Sequence, residues 1–76
     1  MDSEQTSPQA EVYGKPACPY TRAVIRKLRR DGTRMVDYDV ERDRVALRRM
    51  LELNGGRRLV PTIVLGGEVS VGFHGT

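Results

Sequence analysis

Lys15-Pro16-Ala17-Cys18-Pro19-Tyr20-Thr21 is the stretch on which the reading of this 76-residue chain turns. It follows a short, alternating, β-favouring run, Ala10 to Tyr13, and leads into a helical pattern, Tyr20 to Arg30. Gly14 to Ala17, punctuated by glycine and proline, is the loop between them. Pro19 suits the first turn of a helix, where its missing N–H is not needed and its φ is already helical. The chain's single cysteine therefore falls at a strand-to-helix junction. Ala23, Val24, Ile25 and Leu28 give the helix an apolar stripe, and Asp31-Gly32 ends it.

Downstream, Arg34 to Val40 reads as a second strand, with Tyr38 and Val40 alternating with Asp37 and Asp39. A second helix is expected over about Arg42 to Leu53, with Ala46, Met50 and Leu53 on one face, Leu47 and Leu51 beside them, and Asp39, Glu41 or Asp43 as the capping acceptor. Asn54-Gly55-Gly56 closes it. Pro61 to Leu65 and Glu68 to Val71 are strands joined by a Gly66-Gly67 hairpin turn. The order is β-α-β-α-β-β. A right-handed crossover makes the first two strands parallel, and the hairpin adds an antiparallel pair, giving a mixed four-stranded α/β sheet. Met1 to Gln9 is polar, contains Pro8 and reads as a disordered leader to one domain over 10–76.

Composition narrows the function. One cysteine cannot form a disulfide within the chain, and one Cys with one His cannot build a structural zinc site, so no metal is expected. No segment is apolar enough to span a bilayer and the N-terminus has no signal pattern, so the expected setting is the cytoplasm, where a free thiol survives. The net charge is +3, with arginines grouped at Arg26 to Arg30, Arg42 to Arg49 and Arg57-Arg58. These read first as solvated helix faces and second as a surface for an acidic partner. Nucleic acid is the weaker partner, because no base-stacking aromatics accompany the arginines.

A thiol at a helix start is set up to ionise. Free N–H groups and the helix dipole favour a negative sulfur at Cys18. Lys15 adds a positive charge, and the Thr21 hydroxyl can donate a hydrogen bond to the thiolate. The competing reading, an inert buried cysteine, is disfavoured by the position at an element boundary. Position 21, where a dithiol motif carries its second cysteine, is threonine. A disulfide formed at Cys18 must therefore be resolved by a thiol from another molecule.

The element order, with Cys18-Pro19-Tyr20 at the first strand-to-helix junction, resembles the thioredoxin fold and, within it, the glutaredoxin family. Glu11 to Tyr20 is similar to the family's first strand and active-site loop, and Asp39-Val40-Glu41 to its second-strand exit. Asn54 to Pro61 resembles the segment leading into its cis-proline, and Gly66-Gly67-Glu68 its last hairpin. The resemblance implies a glutathione-dependent thiol-disulfide oxidoreductase acting on protein mixed disulfides by a monothiol route. Cys18 would be the nucleophile, with Lys15 and Thr21 assisting. Glutathione would be the co-substrate, held by Lys15, Tyr20, Arg57 or Arg58, the backbone of Val60 before a cis Pro61, Gly72 and Phe73.

Three positions depart from the family pattern. Besides Thr21, Leu59 replaces the usual threonine before Val-Pro, and Gly72-Phe73-His74 replaces a Gly-Cys-Asp type of ending. Gly72-Phe73 is similar to NrdH-type redoxins that serve a reductase, and Cys-x-x-Thr to a branch in which selenocysteine can take the nucleophile position. His74 reads as a tail residue or as a substitute ligand contact. Two other functions stay open: a redoxin donating electrons to a dedicated reductase or peroxidase, and a dimeric iron–sulfur cluster carrier. A non-catalytic module using the arginines is a further alternative. Family members usually close with a third helix over the face covered by the first. The chain has few residues left for one, so an uncovered apolar face is expected, and with it either a homodimer through that face or a minimal or truncated form of the family.

Overall fold

Both faces of the first strand are covered, and this sets the layering. The computed structural model describes residues 8–72. Along them run β1 (Ala10–Gly14), α1 (Pro19–Arg30), β2 (Met35–Asp39), α2 (Arg44–Leu53), β3 (Thr62–Leu65) and β4 (Glu68–Val71). The strands form one sheet in the order β2-β1-β3-β4. β1 is parallel to β2 and antiparallel to β3, and β3 is antiparallel to β4. Alternate strand residues face opposite ways. Ala10 and Val12 therefore pack with Val24 and Leu28 of α1 and Ile63 of β3. Tyr13 faces the other side, with Val40 and with Ala46 and Met50 of α2. The sheet is thus sandwiched between one helix on each face, in the thioredoxin-like order that the sequence implies.

Several boundaries differ from the sequence reading for physical reasons. α2 begins at Arg44, two residues later than expected, because Asp39 organises a turn ahead of it. Its carboxylate accepts the Glu41 N–H at 3.0 Å, and its carbonyl accepts those of Arg42 at 3.2 Å and Asp43 at 2.9 Å. Asp43 is then the cap, accepting the Ala46 N–H at 3.0 Å. Gln9, placed in the leader by its polarity, is tied into the sheet end. Its N–H donates to the Arg34 carbonyl at 2.8 Å, and its carbonyl accepts the Gly66 N–H at 3.2 Å. β3 starts at Thr62, after the proline, and β2 is shorter by a residue at each end. Gly66 and Gly67 form the hairpin with φ of 59° and 86°, a left-handed pair that favours glycine.

The expected uncovered face is less apolar than the sequence suggests. Cross-strand partners share a face, and Ile63 and Leu65 pair with Ser70 and Glu68. On the α1 side, β4 therefore presents a hydroxyl and a carboxylate, and Ile63 is buried. Leu65 is the exposed large apolar residue on that side among the described residues. On the α2 side, Tyr13 stacks on its neighbour Tyr38 at 4.9 Å between ring centroids and donates to Glu11 at 2.7 Å. Burial first, then Glu11, pushes the Tyr13 phenol up to about 12, so it remains a neutral donor.

The tightest approach between helix and sheet is at Gly14, the last residue of β1. A side-chain carbon there would meet Cγ2 of Thr21 at 2.5 Å, and Thr21 is itself buried. Gly14→Ala is expected to destabilise the fold by about 1–3 kcal/mol through overpacking, read as a lowered urea midpoint with an unchanged slope. An unaltered midpoint would mean that α1 can move away freely.

Candidate active site

Cys18 is the N-cap of α1, in extended conformation (φ −78°, ψ 120°), with Pro19 following as the first helical residue. Its N–H donates to the Lys15 carbonyl at 3.0 Å, and its carbonyl accepts the Arg22 N–H at 3.1 Å. The loop is thus folded onto the helix start, leaving the sulfur half-buried. Its thiol is more acidic than an ordinary cysteine. The Thr21 hydroxyl contributes most, opposed by burial, and the backbone N–H groups of Thr21 and Tyr20 and the Lys15 ammonium add to the lowering.

Thr21 also shows why this hydroxyl is available. Its Oγ1 is buried and has no hydrogen-bond partner among the described residues. With the sulfur as a neutral thiol the hydroxyl has no strong acceptor, and with the sulfur ionised it gains one. The bond forms with the charge, so it favours the thiolate selectively.

The other sequence-predicted residues divide. Lys15, Arg58 and Val60 line one groove of about 380 Å³, floored by Val40, Leu47 and Met50. Arg57 does not line it. The turn after α2 settles which arginine does: Asn54 Oδ1 accepts the Arg57 N–H at 3.0 Å, and Asn54 Nδ2 donates to Thr62 Oγ1 at 3.0 Å. Thr62 in turn donates to the Leu59 carbonyl at 2.7 Å. The Val60–Pro61 bond is cis. Among the described residues, neither backbone polar group of Val60 has a hydrogen-bond partner, so both can pair with an extended peptide-like ligand. Gly72 joins this segment by donating its N–H to the Pro61 carbonyl at 2.8 Å. Tyr20 is exposed at the start of α1. Phe73 and His74 lie outside the described residues.

Three contributors were not assigned to the site from sequence. Glu41 lines the groove and lies 4.0 Å from the Lys15 ammonium, a loose and exposed pair. Asn54 and Thr62 shape the loop from within. Among the described residues, no group of three or more Cys, His, Asp or Glu is placed to hold a metal.

The Glutaredoxin family model matches residues 10–70. The chain belongs to the glutaredoxin family. Members are thiol oxidoreductases, and that general activity extends to this glutaredoxin. Among solved structures it is similar to the thioredoxin-like protein BC3987, with 34% identity, a TM-score of 0.71 and coverage of 84% of this chain and 86% of that one. The Archaeoglobus fulgidus glutaredoxin shares the fold at 19% identity, with a TM-score of 0.77 over 91% and 79% of the two chains. A buckwheat glutaredoxin, solved in complex with glutathione, matches at 22% identity and a TM-score of 0.69 over 86% of this chain and 61% of its own. No curated protein sequence matches the chain.

Thr21→Val keeps the side-chain volume and removes the hydroxyl. It is expected to raise the Cys18 pKa, measured by the pH dependence of alkylation. Because the folded thiol has the lower pKa, its ionisation adds stability fully above the unfolded thiol's pKa, and that contribution is lost as pH falls through the folded value. At low pH the variant should equal or exceed the parent in stability by about 1 kcal/mol, since a buried unpaired hydroxyl is gone. At high pH the parent should regain ground. An unchanged alkylation profile would remove Thr21 from the site.

Proposed function

We propose that this glutaredoxin removes glutathione from protein mixed disulfides, with Cys18 as sole nucleophile. The Cys18 thiolate attacks the glutathione sulfur, the Cys18–glutathione disulfide forms, and the protein thiolate leaves. A second glutathione thiolate attacks the bound glutathione sulfur, glutathione disulfide departs and Cys18 returns as thiolate. One disulfide is exchanged at each step, and the protein thiol is restored at the expense of the one incoming glutathione thiol, which ends in glutathione disulfide. The observation that carries this reading is that position 21 holds a buried threonine aimed at stabilising the thiolate, not a second thiol.

The groove supports the same substrate. Val60 offers unpaired backbone groups for the cysteinyl unit of glutathione, and Lys15 and Arg58 offer charge for its glycine carboxylate. In this reading Tyr20, Pro61 and Gly72 complete the surroundings. Glu41 competes with the ligand for Lys15.

The test is glutathione-dependent reduction of a glutathionylated peptide, followed with a coupled reductase. Ping-pong kinetics and loss of turnover in Cys18→Ser are expected. A wild-type protein with a reactive Cys18 but no glutathione-dependent turnover would overturn the proposal. A redoxin serving a dedicated reductase would then take its place. Glu41→Gln should lower KM for the glutathionylated substrate about twofold, the size of an exposed ion pair. A raised KM would show that Glu41 assists binding.

A further inference from the structure

The groove lined by Lys15, Arg58 and Val60 does not end at Arg58. Arg58 and Leu47 also line a second, adjoining cleft of about 450 Å³, together with Arg44, Arg48 and Leu51. Residues 44, 47, 48 and 51 recur at i, i+3, i+4 and i+7, so one face of α2 supplies four of the five lining residues. The buried face of the same helix, Ala46 and Met50, lies on the sheet. The cleft shares Leu47 and Arg58 with the Lys15–Val60 groove and continues it along the outside of α2.

Its chemistry is one-sided. Three guanidinium groups surround two half-buried leucines, and no carboxylate lines the cleft. Among the described residues, Arg44, Arg48 and Arg58 have no ion-pair partner; Asp39 and Glu41 pair instead with Arg42 and Lys15. Asp43, next to Arg44, spends Oδ1 on capping Ala46. Arg44 and Arg48 stand four residues apart, where like charges cost an isolated helix a few tenths of a kcal/mol. An acceptor from outside would relieve that repulsion. The leucines suit an aliphatic or aromatic side chain between the charges. The absence of aromatic residues from the cleft disfavours single-stranded nucleic acid, which binds by base stacking.

We propose that this cleft docks an acidic segment of the polypeptide substrate, bearing carboxylates for Arg44, Arg48 and Arg58 and an apolar side chain for Leu47 and Leu51. The substrate class is then a protein whose reactive cysteine lies in an acidic, partly apolar stretch. The inference builds on the thiol exchange proposed above but does not require glutathione.

The test measures the first exchange alone. Synthetic peptides carry a cysteine as its mixed disulfide with thionitrobenzoate, in an acidic sequence containing leucine or in the same sequence with Gln for every Glu. The Cys18 thiolate attacks the peptide sulfur, the Cys18–peptide disulfide forms, and thionitrobenzoate leaves as a coloured thiolate. The acidic peptide should react about tenfold faster than the neutral one, with the advantage shrinking as salt is raised. The double variant R44E/R48E, at exposed positions, should lose that preference while reacting unchanged with the thionitrobenzoate disulfide of mercaptoethanol. Equal rates for the two peptides, or a preference that survives in R44E/R48E, would overturn the inference. A single-stranded oligonucleotide that competes with the acidic peptide more strongly than a glutamate-rich peptide does would also overturn it. Failure of the glutathione assay with the peptide preference intact would sink the glutathione reading and leave this one standing.

Discussion

The site depends on the contact between Gly14 and Thr21. A strand can deliver a helix N-terminus to a fixed point only if the two backbones approach closely, and Gly14 permits this by having no side chain where Thr21 packs. Thr21 is on the first turn of α1, so fixing it also fixes Cys18 one turn earlier. Pro19 contributes from the other direction, because its ring holds the first helical φ and it has no N–H to satisfy. The sulfur is thus set before free backbone donors, and the nearest hydroxyl lacks any other partner.

This arrangement separates two roles that a dithiol site combines. A second cysteine at position 21 would both stabilise the thiolate and resolve the mixed disulfide. Threonine retains the first role through its hydroxyl and cannot perform the second. In the proposed cycle the resolving thiol enters from solution, and the groove between Lys15, Arg58 and Val60 offers charge and unpaired backbone groups for it. The loop that carries Arg58 and Val60 is shaped by buried polar contacts, with Thr62 bonded to Asn54 and Leu59. Such a network orients ligand-facing groups without touching the ligand.

Much of the architecture was legible in the sequence because local signals agreed with tertiary demands. Proline after Cys18, Asp31-Gly32 after the first helix and Gly66-Gly67 between strands each mark a boundary by backbone chemistry alone. The start of α2 was not legible, because Asp39, Glu41 and Asp43 are equivalent as sequence, and hydrogen bonds decide among them. The choice between Arg57 and Arg58 depends on a turn tied to Thr62, eight residues from Asn54. The place of Glu41 at the groove was not legible because its relation to Lys15 exists only in three dimensions. The polarity of the α1 face of β4 follows from strand register, which periodicity does not give.

The central claim is that Cys18 acts alone and is released by a thiol from outside. Intact-mass spectrometry of the protein after reaction with glutathione disulfide tests it most directly. The account predicts one glutathione per chain, located on Cys18, persisting when free thiol is removed and disappearing when reduced glutathione is added. A chain that gains no glutathione, or an adduct that reduced glutathione leaves in place, would contradict it.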